Sequence, residues 1–147
     1  MQAIDVINES LQPSLSQQAG DDIVYHIMKI GQLSKLSANW DSYGGQAIAF
    51  AVCEKAAKYL YAAYKELAGE SGSDAMPFIA PANDGSIVFE WNSDKAELIV
   101  VFRPNAQLEV EYLTVEKNDG RENEKEGLFN SAAAFVQAVK WFTAHKS

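Results

Sequence analysis

Cys53 and His26 are the residues in this chain best suited to nucleophilic chemistry. Cys53 is the single cysteine, and His26 is one of two histidines, the other being His145 near the C-terminus. A thiol becomes a useful nucleophile when a base is held against it, and both residues fall on stretches that read as successive helices. A short connection between those helices leaves a Cys–His pair geometrically open. Metal chemistry has thinner support. No H-x-x-x-H, C-x-x-C or H-E-x-x-H spacing occurs, and structural or catalytic zinc needs several such ligands brought together. Asn83-Asp84-Gly85 is oxygen-rich but lacks the twelve-residue calcium-loop pattern and reads as a hairpin turn. "GESGSDAM" lacks the Lys-Ser/Thr ending of a phosphate loop. No cofactor is therefore expected.

Carboxylates are the second chemical resource. Glu109 and Glu111 alternate along a strand-like stretch, about 7 Å apart by strand rise. Glu90 can join them across a sheet, with Glu97 or Arg103 brought in by register. Paired carboxylates serve glycoside and acid–base chemistry, but a solvated sheet face explains them without catalysis. The same face, with acids beside exposed aromatics, would also suit a basic protein partner. Glu122 and Glu124, in a charged stretch farther on, extend that set.

The third candidate is "NWDSYGG", residues 39–45. Asp41 can accept backbone N–H bonds in a turn, and Gly44 and Gly45 permit positive φ. Trp40 and Tyr43 are expected to wedge between helices and sheet. Trp40, Asp41, Tyr43, Gly44 and Gly45 thus read as a structural motif, a rigid corner between two helices.

The elements that must position these residues follow from periodicity. Residues 1–20 carry Ile4, Val6, Ile7 and Leu11, then Pro13 and a Ser/Gln-rich stretch; a short element followed by a loosely tied loop is expected. Ile23, Ile27, Ile30 and Leu33, widened by Val24, Met28 and Leu36, predict a helix from Asp21 to about Ser37. A second helix is predicted from about Ala49 to Ala68, burying Val52, Ala56, Leu60, Ala63, Tyr64 and Leu67. Its aromatics Phe50, Tyr59, Tyr61 and Tyr64 are assigned to the core, and Lys55, Lys58 and Lys65 to solvent. After Met76 the period drops to two. "PFIAP", "SIVFEW", "AELIVVFR" and "QLEVEYLTVE" predict four strands in an antiparallel meander, the third central and covered on both faces. Residues 116–127, "EKNDGRENEKEG", read as a mobile charged loop. A last helix, capped by Asn130 or Ser131, buries Ala132, Phe135, Val136, Val139 and Phe142. The expected fold is one α+β domain over residues 1–147, with two N-terminal helices, a four-stranded sheet and a C-terminal helix. The helices gather mainly on one face.

The 147 residues carry 20 acidic against 12 basic side chains, a formal net charge of −8. That field repels phosphate backbones and disfavours direct nucleic-acid binding. No apolar run reaches the roughly 20 residues needed to span a bilayer. The N-terminus lacks a signal-peptide pattern, so no membrane association is expected and a cytoplasmic location is.

"NWDSYGGQAI", followed by a helix and then "PFIAPANDGSIVFEW", resembles a group of small bacterial and phage-borne proteins. These carry W-D-[GS]-Y-G before a helix and P-x-x-x-P-x-x-[DN]-G ahead of a strand ending in E-W. The resemblance covers about residues 38–115 and implies a shared fold and a mobile-element or accessory setting; it brings no catalytic residue. Gln46-Ala47-Ile48 stands where members of that group place proline. The expected function is non-enzymatic: binding and inhibition of a macromolecular partner, as an anti-defence (anti-CRISPR-like) or antitoxin-like factor. The alternatives are an acidic mimic of nucleic acid and a small enzyme built on His26, Cys53 or the 40–43 loop.

Overall fold

The structure, a computed structural model, describes residues 15–67 and 76–146. The apolar pattern at positions 4–11 and the "GESGSD" stretch lie outside the described residues. Among these described residues three helices and five strands follow in the order α1 (Leu15–Leu33), α2 (Phe50–Leu67), β1 (Phe78–Pro81), β2 (Ile87–Asn92), β3 (Ala96–Phe102), β4 (Val110–Asn118), β5 (Arg121–Leu128) and α3 (Ala132–His145). The fold is α+β, with the strands in one antiparallel meander, β1-β2-β3-β4-β5.

Two helix ends show a local cause. α1 begins six residues before Asp21, so residues 15–20 are helical rather than loop. Its last turn tightens through bonds from the Ser34, Lys35 and Leu36 amides to the carbonyls three residues back, and the Ser34 hydroxyl donates to Gly31 O at 2.7 Å. Carbonyls orphaned at a helix end are satisfied in this way. Ser131 caps α3, its hydroxyl accepting from the Ala134 amide at 3.2 Å, the bond that an N-cap serine is suited to make.

The core forms where α2 and α3 lie on one sheet face. Ile79, Ile87, Phe89, Trp91, Ala96, Leu98, Val100, Phe102 and Val110 point toward the helices and are buried. They meet Val52, Ala56, Tyr59, Leu60 and Ala63 of α2 and Phe135, Val136, Val139 and Phe142 of α3. At the centre Phe89, Phe102 and Phe135 converge, with the Phe89 and Phe102 ring centroids 4.7 Å apart and tilted toward edge-to-face. That geometry suits the aromatic quadrupole.

The structure corrects several expectations. Residues 116–127 are not a loop: they are the end of β4 and most of β5, joined by a turn at Asp119 (φ +50°) and Gly120 (φ +78°). Two consecutive positive φ values make this the tight Asp-Gly hairpin turn whose twist matches its strands. Residues 121–126 of β5 are exposed on both sides, so no apolar alternation marks the strand in the sequence. Strand β4 starts at Val110 rather than near Gln107, because Leu108 adopts φ +49° and the Leu108 amide closes a turn onto Asn105 O. β3 is central, but only its helix-facing side is fully buried; Glu97, Ile99 and Val101 on the other side are half-buried. The stripe on α1 is also narrower than its apolar residues suggest, with Val24 and Met28 mostly exposed.

Candidate functional site

The 39–46 corner is held by its own polar groups. Asp41 Oδ1 accepts from the Tyr43 amide at 2.9 Å and the Gly45 amide at 2.8 Å. Asn39 Oδ1 accepts from Gly44 N at 2.7 Å, and Trp40 Nε1 donates to Gln46 O at 2.7 Å. The bond from the Tyr43 amide does most to hold the Asp41 carboxyl below its ordinary pKa; partial burial opposes this, and the Gly45 amide reinforces it. Asn39 and Ser42 sit at φ +63° and +66°, and Gly44 at +82°, a left-handed cost in the two non-glycine residues that these bonds offset. The corner then docks on the first hairpin, where Gln46 N donates to Asn83 O at 2.8 Å. Trp40 is half-buried, while Tyr43 is 87 % exposed. Tyr43 therefore does not wedge between helices and sheet, because the turn that satisfies Asp41 directs its ring outward.

At the same end Arg103, one residue past β3, ties the β1–β2 turn to β4. Its guanidinium meets Asp84 Oδ2 and Glu111 Oε1, each at 2.9 Å. The hydrogen bond to Glu111 is the largest of the effects raising the pKa of Arg103. Asp84 loses some solvation, but the Ser86 hydroxyl and amide, with Arg103, outweigh that loss and lower its pKa. Lys55 does not point free into solvent; its Nζ donates to Leu108 O at 2.7 Å and fastens α2 to the β3–β4 turn.

The sheet face away from α2 and α3 gathers most of the acids expected to bind a partner. Strand register places Glu90, Glu97, Glu111, Glu122, Glu124 and Glu126 on this face, with Arg103 and Lys117 as its cations. Between them run Val88, Ile99, Val101 and Leu113, all half-buried, and Val115, which is buried yet outside the main core. Glu109 does not join the face. It precedes β4, with its amide donating to Asn105 Oδ1 at 2.9 Å and its carboxylate accepting from Asn105 Nδ2 at 2.8 Å. Glu97 and Arg103, offered by the sequence as alternatives set by register, both join the face, and register across β5 adds Glu126, which the sequence reading did not offer. Partial burial raises the Glu97 pKa, Lys117 opposes this, and Glu90 and Glu122 add repulsion.

A second surface feature lies between α1 and α2. It is an apolar groove of about 600 Å³ lined by Ile23, Val24, Ile27, Met28, Phe50, Cys53 and Tyr61, among others. Phe50 and Tyr61 are 70 % and 49 % exposed, so of the four aromatics of α2 assigned to the core, Tyr59 alone is fully buried. Helical spacing aligns these rings along the element, but the sheet covers only one side of it. Cys53 lies at this groove with its thiol pushed up by burial, which favours the unreactive protonated form. His26 does not line the groove; its ring meets Tyr25 edge-on at 5.3 Å.

Among the described residues, no three His, Cys, Asp or Glu groups converge on a possible metal position. Every buried side-chain polar atom there has a hydrogen-bond partner, and no helix among these residues is long and apolar enough to cross a membrane. No protein-family model matches the chain, and neither does any curated protein or solved structure.

Proposed function

We propose that this protein is a non-enzymatic binding module that inhibits a macromolecular partner through the helix-free face of its sheet. One observation carries the reading: a face on which apolar side chains (Val88, Ile99, Val101, Leu113) are interspersed with six glutamates and two cations is left uncovered by α2 and α3. Apolar side chains among polar ones are the usual make-up of a protein interface. An excess of glutamates selects a basic partner and speeds encounter with it. Glu97 supports the same reading, because its charged form costs the fold stability and yet stands amid this face. The setting we propose is anti-defence or antitoxin-like, with a basic host protein as target, in keeping with what the resemblance of residues 38–115 implies.

The test is capture of a partner from bacterial lysate by the full-length protein at moderate salt. Glu90→Lys combined with Glu124→Lys is expected to abolish capture, while Phe50→Ser, on the opposite side of the molecule's helix layer, retains it. Equal capture by the sheet-face variant would refute the assignment.

Nucleic-acid mimicry is the second reading, favoured by the row Glu122, Glu124 and Glu126 on an exposed strand. Mimicry relies on charge more than on the apolar side chains. Changing Glu111, Glu122 and Glu124 to Gln would then remove binding altogether, whereas Val101→Ser and Leu113→Ser would leave it unchanged.

A further inference from the structure

Strand β5 is the last of the sheet, and among the described residues no strand pairs with its outer edge. Residues 121–126 are exposed. The ladder fixes which of their backbone groups point outward. The Phe129 amide donates to Val110 O at 2.8 Å, so that pair, one step beyond Glu111 and Leu128 in the register, is a hydrogen-bonded one. Such pairs alternate along an antiparallel ladder. Gly127, Lys125, Asn123 and Arg121 therefore turn their backbone groups to β4, and Glu122, Glu124 and Glu126 turn theirs away from it. The three glutamates whose main chain faces outward also carry their carboxylates on the open face of the sheet. We propose that this edge takes an extended segment of the partner as a sixth, antiparallel strand, with lysine or arginine at every second position. The inference rests on the sheet-face reading and states how the basic partner is held.

Charge selects the occupant. On the inner side of β5, Val115 stands opposite Glu124 and Leu113 opposite Glu126, and neither glutamate joins an ion pair among the described residues. The open position for a cation is on the outer side. In an added antiparallel strand, the residues exchanging main-chain bonds with Glu122, Glu124 and Glu126 stand directly opposite them on the same sheet face. Both rows then repeat at about 7 Å. A second copy is the wrong occupant. Laid antiparallel on itself through the same outward groups, β5 sets glutamate against glutamate in each register that brings the two rows together, and like charges directly opposite destabilise a ladder. A strand without cations leaves the three carboxylates crowded and uncompensated, which is how charged edges avoid stray pairing. Main-chain bonding thus supplies the affinity and the glutamates supply the selection.

A fluorescent peptide of alternating lysine and threonine, titrated into the full-length protein at low salt, tests this beside two control peptides. Methylating the lysine amides removes the donors that face β5, whereas methylating the threonine amides alters only the far edge of the added strand. The unmodified and threonine-methylated peptides are expected to bind and to slow hydrogen exchange at the Glu122, Glu124 and Glu126 amides. The lysine-methylated peptide should lose about tenfold or more in affinity, as the loss of several hydrogen bonds does, and give no such protection. Glu124→Gln should weaken binding of the unmodified peptide by up to about fivefold. Equal binding by all three peptides without amide protection overturns the proposal and leaves the sheet-face reading standing, because the face then attracts cations without adding a strand. Absence of binding by the unmodified peptide overturns it too, and lysate capture by the protein carrying Glu90→Lys and Glu124→Lys then decides the sheet-face reading on its own.

Discussion

At Gly45 a methyl group would lie 2.7 Å from Asp41 Oδ1 and 2.9 Å from Trp40 Cε2, closer than any side chain sits. At Gly44 the space is open and only φ +82° resists a side chain. Gly45→Ala should therefore cost about 1–3 kcal/mol through overpacking, and Gly44→Ala about 1–2 kcal/mol through the left-handed backbone. Urea unfolding of the two variants reads both. Tyr43, in the same heptapeptide, should tolerate Ala within about 0.5 kcal/mol, as exposed positions do, whereas Phe89→Ala should cost about 3–5 kcal/mol. Asp41 adds a pH signature. Its folded pKa lies below the unfolded one, so its contribution is present above the ordinary aspartate range and is lost as pH falls through the folded value. Asp41→Asn should flatten that part of the acid limb in a stability–pH profile. The types in "NWDSYGG" announced a turn held by Asp41. They did not announce which aromatic would be buried, because that depends on the direction in which the closed turn leaves the helices.

Among the elements, the β4–β5 hairpin is the one that periodicity missed. Its turn was written in Asp119-Gly120, but Glu122, Asn123, Glu124 and Lys125 offer no apolar alternation, since neither side of β5 packs on the core. A row of charges on an edge strand also blunts edge-to-edge pairing with other chains. Gly120→Ala should cost about 1–2 kcal/mol from its positive φ. Amide exchange should rise along Arg121–Glu126, and β1–β3 should stay protected. Gly127 lies opposite Tyr112, whose ring atoms would stand 3.0–3.2 Å from an added methyl. That ring stacks on Phe129 at a 4.5 Å centroid distance. Gly127→Val should therefore unseat Tyr112 and lower the melting temperature, with near-UV dichroism reporting the loss of the stack. The three helices and first four strands were legible because each buries one face and so carries a period.

On the scale of the whole molecule, charge is divided by layer: the open sheet face is acidic, while the described part of α2 carries Lys55, Lys58 and Lys65 against Glu54 and Glu66. Glu97 reports the cost of that arrangement. Its folded pKa is raised, so stability is greatest while it is protonated and falls as pH rises through the folded value. Glu97→Gln should accordingly raise the melting temperature at neutral pH, with the gain vanishing below the ordinary glutamate range. By itself the chain's alternation of apolar and polar residues determined the α+β class, the helix and strand order up to β4 and most of the core, because burial acts on each element's own period. Tertiary structure alone decided that Glu97 and Glu126 join Glu90 and Glu111 on one face while Glu109 is turned into a loop. It also decided that Phe50 and Tyr61 line a groove rather than the core. Those outcomes rest on strand register and on how far the sheet reaches beneath α2, relations between distant segments that no local pattern encodes.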